Sequence, residues 1–187
     1  MLVRQIESPK DGNDVEDLAT LHHDEYGTSR EFNAKAVGQA AFHCVMDKQR
    51  KHLNCWVAYD DNNQPIGYLA ATIRPSFYSF RSYAVQEMWY VVKRARGTRA
   101  SIELLLQFEN WAVSHNVERI YMQVEHDADD TLVQKILRLM SRLGYRTQGY
   151  IAVKVPIYKT TATFNKDEDN DRSTHRTVGV AEEQAAQ

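Results

Sequence analysis

Between Tyr83 and His115 the chain changes its period once, and it does so across a single glycine. "YAVQEMWYVV" is an apolar run with the length and aromatic, β-branched content of a buried strand. "ASIELLLQFENWAVSH" carries apolar residues at helical spacing, anchored by Ile102, Leu105, Leu106 and Phe108. Only "KRARGTR" separates the two. A strand that hands over to a helix so quickly belongs to a sheet with a helix packed on it, since neither apolar face is stable in water. A helix starting at about Thr98 presents unpaired amides and partial positive charge. Gly97 permits a turn that a Cβ would obstruct. Together they form an anion site for a nucleic-acid phosphate or the pyrophosphate of a nucleotide-like cofactor, to which Arg96 and Arg99 would add charge-assisted contacts. An ordinary strand-to-helix turn with a solvated basic face fits the same pattern.

The flanking chain supplies the rest of the layers. "MLVRQIE" reads as a first strand, broken by "SPKDGND". Asp14 is the expected cap of a helix through "VEDLATLHHDEY", with Val15, Leu18, Leu21 and His22 near one face. "REFNAKAVGQAAFHCVMDKQR" predicts a second helix with Phe32, Ala36, Ala40 and Cys44 in its stripe. "HLNCWVAY" and "IGYLAATI" are strands joined by the turn "DDNNQP", and "RPSFYSFRS" leads into the strand before Gly97. "VERIYMQVE" is a further strand. "DDTLVQKILRLMSRLGY" is a helix with Leu132, Ile136, Leu139 and Leu143 in register, closed by a left-handed Gly144, and "GYIAVKVPIY" is a last strand. The order is β-α-α-β-β-β-α-β-α-β. It predicts an α/β fold with a mixed, mostly antiparallel sheet and helices on both faces. From about Thr160 the composition turns polar, so the expected organisation is one domain over 1–159 and a disordered tail over 160–187.

Composition narrows the function classes. A chain of 187 residues with 43% hydrophobic content supports one core. A formal net charge of −2 makes nucleic acid an unlikely general partner. Cys44 and Cys55 have neither disulfide-framework nor metal-ligand spacing, and no metal site is expected. No secretory signal and no run of ~18 apolar residues is present, so the expectation is a cytoplasmic protein without membrane contact. "HHDE" at His22 to Glu25 reads as a helix end, because adjacent helical histidines point apart, and "EHDADD" reads as a loop that caps the next helix. "RPSFYSFRSY", with Arg74 and Arg81 among Phe77, Tyr78, Phe80 and Tyr83, either stacks bases or forms a hairpin that shapes an acceptor pocket; the second is preferred.

"RARGTRA", together with the element order, resembles the signature of the GNAT superfamily of acyl-CoA-dependent N-acyltransferases, Q/R-x-x-G-x-G/A. Arg94 and Gly97 match the first and fourth positions, Arg99 replaces the usual Gly or Ala, and Ala100 follows one residue late. "WYVVKRARG" is similar to the family's strand ending with Lys93 for proline, and "LRLMSRLGYR" to its "LYxxxGF" helix end. "RGTRA" also resembles GNAT-like proteins of tailed phages. The resemblance covers residues 1 to about 158 and implies acetyl-CoA as co-substrate. It places the pantetheine arm on backbone groups of Val91, Val92 and Lys93, and the pyrophosphate on the amides of Arg96, Gly97, Thr98, Arg99, Ala100 and Ser101.

Amine acylation needs a proton acceptor for the nucleophile and a proton for the departing thiolate. Glu87 is the candidate base. Four residues before Val91 it would share a strand face with it, and Met88 and Trp89 would desolvate it. A strand glutamate facing solvent or paired with an arginine is the competing reading. Where the family has a tyrosine this chain has Met140, with Ser141 and Tyr145 as neighbours, and Val133 replaces the family's asparagine. The resulting expectation is an N-acetyltransferase acting on a primary amine of a small molecule or protein, whose acceptor is unidentified and whose assembly allows a homodimer. The alternatives are a catalytically silent GNAT-fold binding or structural protein, as in a phage virion, and a nucleic-acid binder using "KRARGTR" and the aromatic loop.

Overall fold

The computed structural model describes residues 1–26, 32–46, 52–124 and 130–147. Strand β1 (Leu2–Gln5) is followed by helices α1 (Pro9–Tyr26) and α2 (Ala34–Met46), then by strands β2 (Leu53–Tyr59), β3 (Pro65–Pro75) and β4 (Ser82–Val91). A 3-10 turn at Lys93–Ala95 leads to α3 (Ala100–Ser114), β5 (Arg119–Tyr121) and α4 (Asp130–Arg142). Among the described residues the sheet has the order β1-β2-β3-β4-β5, antiparallel except for the parallel β4–β5 pair. The expected mixed sheet is present, and Met1–Arg146 make one compact unit. The last expected strand, the 159/160 boundary, the tail and most of "EHDADD" lie outside the described residues.

Helices cover both faces because the central strands β2 and β3 bury residues on both sides. Trp56, opposite Leu69, packs against Phe108 and Trp111 of α3, with ring centroids 6.4 and 5.6 Å away. Tyr68, opposite Tyr90, turns the other way, toward His22 of α1. The parallel partner of β4 requires a crossover, and α3 provides it.

Several helix details differ from the pattern reading. Helix α1 starts at Pro9, not after Asp14: Ser8 caps it, the Ser8 amide donates to Asp11 Oδ2 at 2.9 Å, and proline suits the first turn. "SPKDGND" is thus a helix start and not a break, and Asp14 instead accepts from Tyr59 Oη at 2.8 Å. Leu21 is exposed. In α2 the amide of Ala36 donates to the capping Asn33 Oδ1 at 3.0 Å. The helix buries Gly38, Ala41 and Cys44, while Ala36 and Ala40 face solvent. In α3 the buried set is Ala100, Leu104, Leu105, Phe108, Trp111 and Ala112, with Leu106 outside. Trp111 extends the stripe by a turn, because Trp56 offers it a ring to pack on. Helix α4 ends as expected on Gly144 at φ +91°, with the Tyr145 amide bonded to the Met140 carbonyl at 3.0 Å.

Gly67 marks a close approach between β3 and β4. A Cβ there would stand 2.8 Å from the Tyr90 carbonyl oxygen and 2.9 Å from Val91 Cγ2. Gly67→Ala should therefore lower stability by about 1–3 kcal/mol, the usual scale of overpacking, read as a fall in the urea midpoint with an unchanged slope. An unaltered midpoint would show that the strand ends separate freely.

Candidate active site

The site is built where β4 loses its neighbour. β5 pairs with β4 only at Tyr83, Ala84 and Val85. The buried Gln86 then makes the last tie, its Oε1 accepting from the Gln123 amide at 3.0 Å. Beyond it no described strand pairs with the outer edge of β4. The Val92 amide donates to Ile66 in β3 at 3.0 Å. Peptide groups alternate sides along a strand, so those of Trp89 and Val91 face the open edge.

The edge runs into the basic turn. Gly97 has φ +82°, a conformation glycine adopts without cost, and nothing lies within 4 Å of the place a Cβ would occupy. Helix α3 begins at Ala100, two residues later than expected, with Arg99 as an N-cap that makes no side-chain cap. The Thr98 hydroxyl serves the Ala100 amide at 3.3 Å. The amides of Gly97, Arg99, Ser101 and Ile102 have no acceptor among the described residues, and Gly97, Thr98 and Arg99 are exposed. This cradle fits a phosphate group, because unpaired amides at a helix start favour an anion and no side chain stands in the way.

The basic side chains behave differently from the expectation. Arg96 points away from the cradle: its Nε donates to the Val91 carbonyl at 3.0 Å and its Nη2 to Glu25 Oε2 at 2.6 Å. Lys93 also reaches Glu25 at 3.8 Å, Arg94 reaches Asp60 at 3.7 Å, and Arg99 pairs with Glu103 one helical turn on at 2.9 Å. The Arg96 side chain is thus turned away from the cradle, and Arg99 is the basic side chain left beside it, 82% exposed. Every basic group of this stretch has a carboxylate, which weakens it as a polyanion site. The pantetheine assignment also narrows. Both backbone groups of Val92 are used, its carbonyl by the Ala95 amide at 2.9 Å, and the Val91 carbonyl belongs to Arg96. The amides of Val91 and Lys93 remain.

Glu87 sits on a β-bulge. Met88 lies opposite Ala70 and Gln86 opposite Ala71, which leaves Glu87 without a partner in the register. The extra residue resets the alternation, so Glu87 and Val91 lie on opposite faces and the shared-face expectation fails. Thr72 Oγ1 and Arg74 Nη2 both donate to Glu87 Oε1. The side chain is 30% exposed and ion-paired, not desolvated by Met88 and Trp89. Its Oε2 has no partner among the described residues. Met140 is buried in the core, so that position carries no hydroxyl near the site. The aromatic hairpin forms, but Phe77, Tyr78 and Phe80 stand in solvent and line no pocket among the described residues.

Sequence patterning missed an aromatic box beside the turn. His22 stacks on Tyr90 with centroids 4.7 Å apart, and its Nδ1 lies 3.4 Å from Tyr68 Oη. His23 points elsewhere, stacked on Phe32 at 4.3 Å, as expected of neighbours on a helix. Tyr90 Oη donates to Glu25 Oε2 at 3.0 Å. Burial pushes the Tyr90 phenol up to about 12, and its bond to Glu25 adds to the rise. Burial raises the Glu25 carboxyl, but bonds from Arg96 and Tyr90, with the Arg96 and Lys93 charges, outweigh it and hold Glu25 below its usual 4.5. Burial holds the His22 imidazole below its ordinary 6.5; Glu25 opposes this, while Arg96 and His23 add to it.

The sign follows by linkage. Below about pH 6.5 the unfolded chain protonates His22 while the fold resists, so stability is full above that pH and falls as pH drops through it. Glu25 adds a loss in the same direction below about pH 4.5. The melting temperature should hold between about pH 8 and 7 and decline toward pH 5. The decline should be shallower in His22→Phe; an identical slope would remove His22 as its source.

An open strand edge running into a glycine turn and a helix start is the frame of an acyl-CoA N-acyltransferase domain. Residues 15–145 match the model of the Acetyltransferase (GNAT) family, and the chain belongs to that family as a GNAT-type N-acetyltransferase. No curated protein matches its sequence. Among solved structures, AAC(6')-Iy in complex with the bisubstrate analog CoA-S-monomethyl-acetylneamine is 14% identical, with a TM-score of 0.64 over 84% of this chain and 98% of that one. The aminoglycoside acetyltransferase HMB0005 from an uncultured soil metagenomic sample is 17% identical, with a TM-score of 0.63 over 84% and 98%. A Trypanosoma brucei acetyltransferase is 14% identical, with a TM-score of 0.61 over 83% and 99%. These likenesses concern the fold.

Proposed function

We propose that the protein transfers an acetyl group from acetyl-CoA to a primary amine of a small molecule or protein. The observation that carries this reading is the edge of β4 beyond Gln86, which no described strand pairs with and which leads into the open amides of the Gly97 turn. An extended arm ending in a pyrophosphate would lie along the edge, bonded by the Val91 and Lys93 amides, with its phosphates on the amides of Gly97, Arg99 and Ser101. Acetyl-CoA supplies the activated acyl thioester. Glu87, its Oε1 held by Thr72 and Arg74, offers Oε2 to the amine proton as the nitrogen attacks the carbonyl carbon. The carbon–sulfur bond then breaks, and solvent protonates the thiolate.

The family match and the solved aminoglycoside acetyltransferases support an amine acceptor. No helix among the described residues is long and apolar enough to cross a membrane, and Cys44 and Cys55 are buried thiols in no disulfide. These thiols support a reducing, cytoplasmic location. Calorimetry with acetyl-CoA, followed by thiol release across a panel of aminoglycosides, polyamines and lysine peptides, tests the reading. Failure to bind acetyl-CoA would remove it. Binding without transfer to any amine would leave only the cofactor half.

A further inference from the structure

We propose that Glu25 is a positioning residue for the cofactor turn and that it acts through Arg96. The inference rests on the reading of the Gly97 turn as the phosphate site of acetyl-CoA.

Arg96 immediately precedes Gly97, so its main chain is part of the cradle while its side chain runs the opposite way. Three contacts fix that direction. Nε is bonded to the Val91 carbonyl, Nη2 is bonded to Glu25, and the guanidinium carbon stands 5.8 Å from the ring centroids of both Tyr26 and Tyr90. Cation–π contacts of this kind favour a desolvated guanidinium. Glu25, from the last turn of α1, is only 11% exposed and is held from a second side by Tyr90 Oη. One carboxylate thus ties the end of α1 to the last residues of β4 and to the residue before the glycine.

The geometry makes Glu25 more than a surface partner. Arg96 is 29% exposed, and without Glu25 its charge would be left half-buried and unpaired. The nearest relief is to swing toward solvent on the cradle side. That movement breaks the Nε bond to Val91, releases a carbonyl at the open edge and reorients the peptide that leads into Gly97. The amides of Gly97 and Arg99 then no longer converge in advance of binding, and affinity built on prearranged donors falls. Glu87 and the bulge lie further up β4 and are untouched by the change.

The test uses the full chain. In Glu25→Gln the dissociation constant of acetyl-CoA, by calorimetry, should rise ~10-fold. The kcat at saturating acetyl-CoA and the KM of the amine should each stay within ~2-fold, a split that general loosening of the fold would not produce. Arg96→Gln should match it, and the double variant should add nothing further, since one interaction is lost either way. If Glu25→Gln does not fold, Arg96→Lys decides, because it keeps the charge but loses the fork and the Val91 bond; an unchanged dissociation constant overturns the proposal. So do additive effects, or tighter binding in Glu25→Gln, which would mean that Arg96 once freed is itself a phosphate ligand. Gly97→Glu run alongside separates the two levels. If it abolishes binding while Glu25→Gln does not change it, only this inference falls; if neither affects binding, the phosphate-site reading falls and this one with it.

Discussion

Gly97→Glu should weaken acetyl-CoA binding by more than ~2 kcal/mol, about 30-fold in dissociation constant, with the melting temperature of the free protein only modestly lowered. Two effects combine. The residue sits at φ +82°, where any side chain is strained, and the new carboxylate would stand beside the open amides on which the proposed reading seats the phosphate. Gly97→Ala separates them, because a Cβ at this position meets no protein atom within 4 Å and brings strain without charge. The expected order of affinity is wild type, then alanine, then glutamate. Arg99→Ala should cost less than either, since its side chain is exposed and already paired with Glu103. Normal binding by Gly97→Glu, measured by calorimetry, would move the cofactor site elsewhere on the molecule.

Glu87→Gln should slow turnover by ~10²–10⁴-fold, the range of a positioned general base, while acetyl-CoA affinity stays nearly unchanged. The amide keeps the shape of the side chain, and its carbonyl oxygen can still accept from Thr72 or Arg74. What disappears is the proton acceptor at the second oxygen, the one that no described residue engages. Arg74 is informative beside it. Arg74→Met leaves Oε1 to Thr72 alone and loosens the carboxylate, so its rate should fall less than that of Glu87→Gln and its KM for the amine should change with it. A Glu87→Gln enzyme that acetylates at the wild-type rate would remove Glu87 from proton transfer and leave that step to water.

The glycine turn between strand and helix was legible in the sequence because its signal is local: an apolar strand, a basic stretch with one glycine, and a helical stripe within thirty-odd residues, of which the glycine indeed takes the left-handed backbone. Sheet class was legible for a similar reason, since three strand-like runs joined by short turns can pair antiparallel with little choice. The direction of Arg96 was not. Its partner Glu25 lies 71 residues away, and a basic side chain next to a phosphate turn gives no hint that a carboxylate on another helix has claimed it. The bulge at Glu87 was equally hidden, because the largely apolar "AVQEMWYVV" shows no break in its pattern at that residue and the extra residue exists only relative to β3. One unpaired residue was enough to reverse which face Glu87 shares. The start of α1 failed more simply: "SPKD" holds a serine cap, a proline suited to the first turn and a returning aspartate, and reading "SPKDGND" as a break hid the cap.

The outer edge of β4 from Glu87 to Val91 also has a meaning for the protein when no ligand is bound. Among the described residues its outward peptide groups, flanked by Met88, Trp89 and Tyr90, have no partner strand, and such a row is a template on which another polypeptide can add one. Three features blunt it here. The bulge at Glu87 interrupts its regular repeat, Arg96 stoppers the Val91 carbonyl, and the exposed run is only a few residues long. On the proposed reading, acetyl-CoA lying along the edge would finish the protection and so guard against self-association as well as react. Preparations kept with the cofactor should stay monodisperse at concentrations where the bare protein begins to aggregate, and variants that loosen Arg96 should be the first to do so.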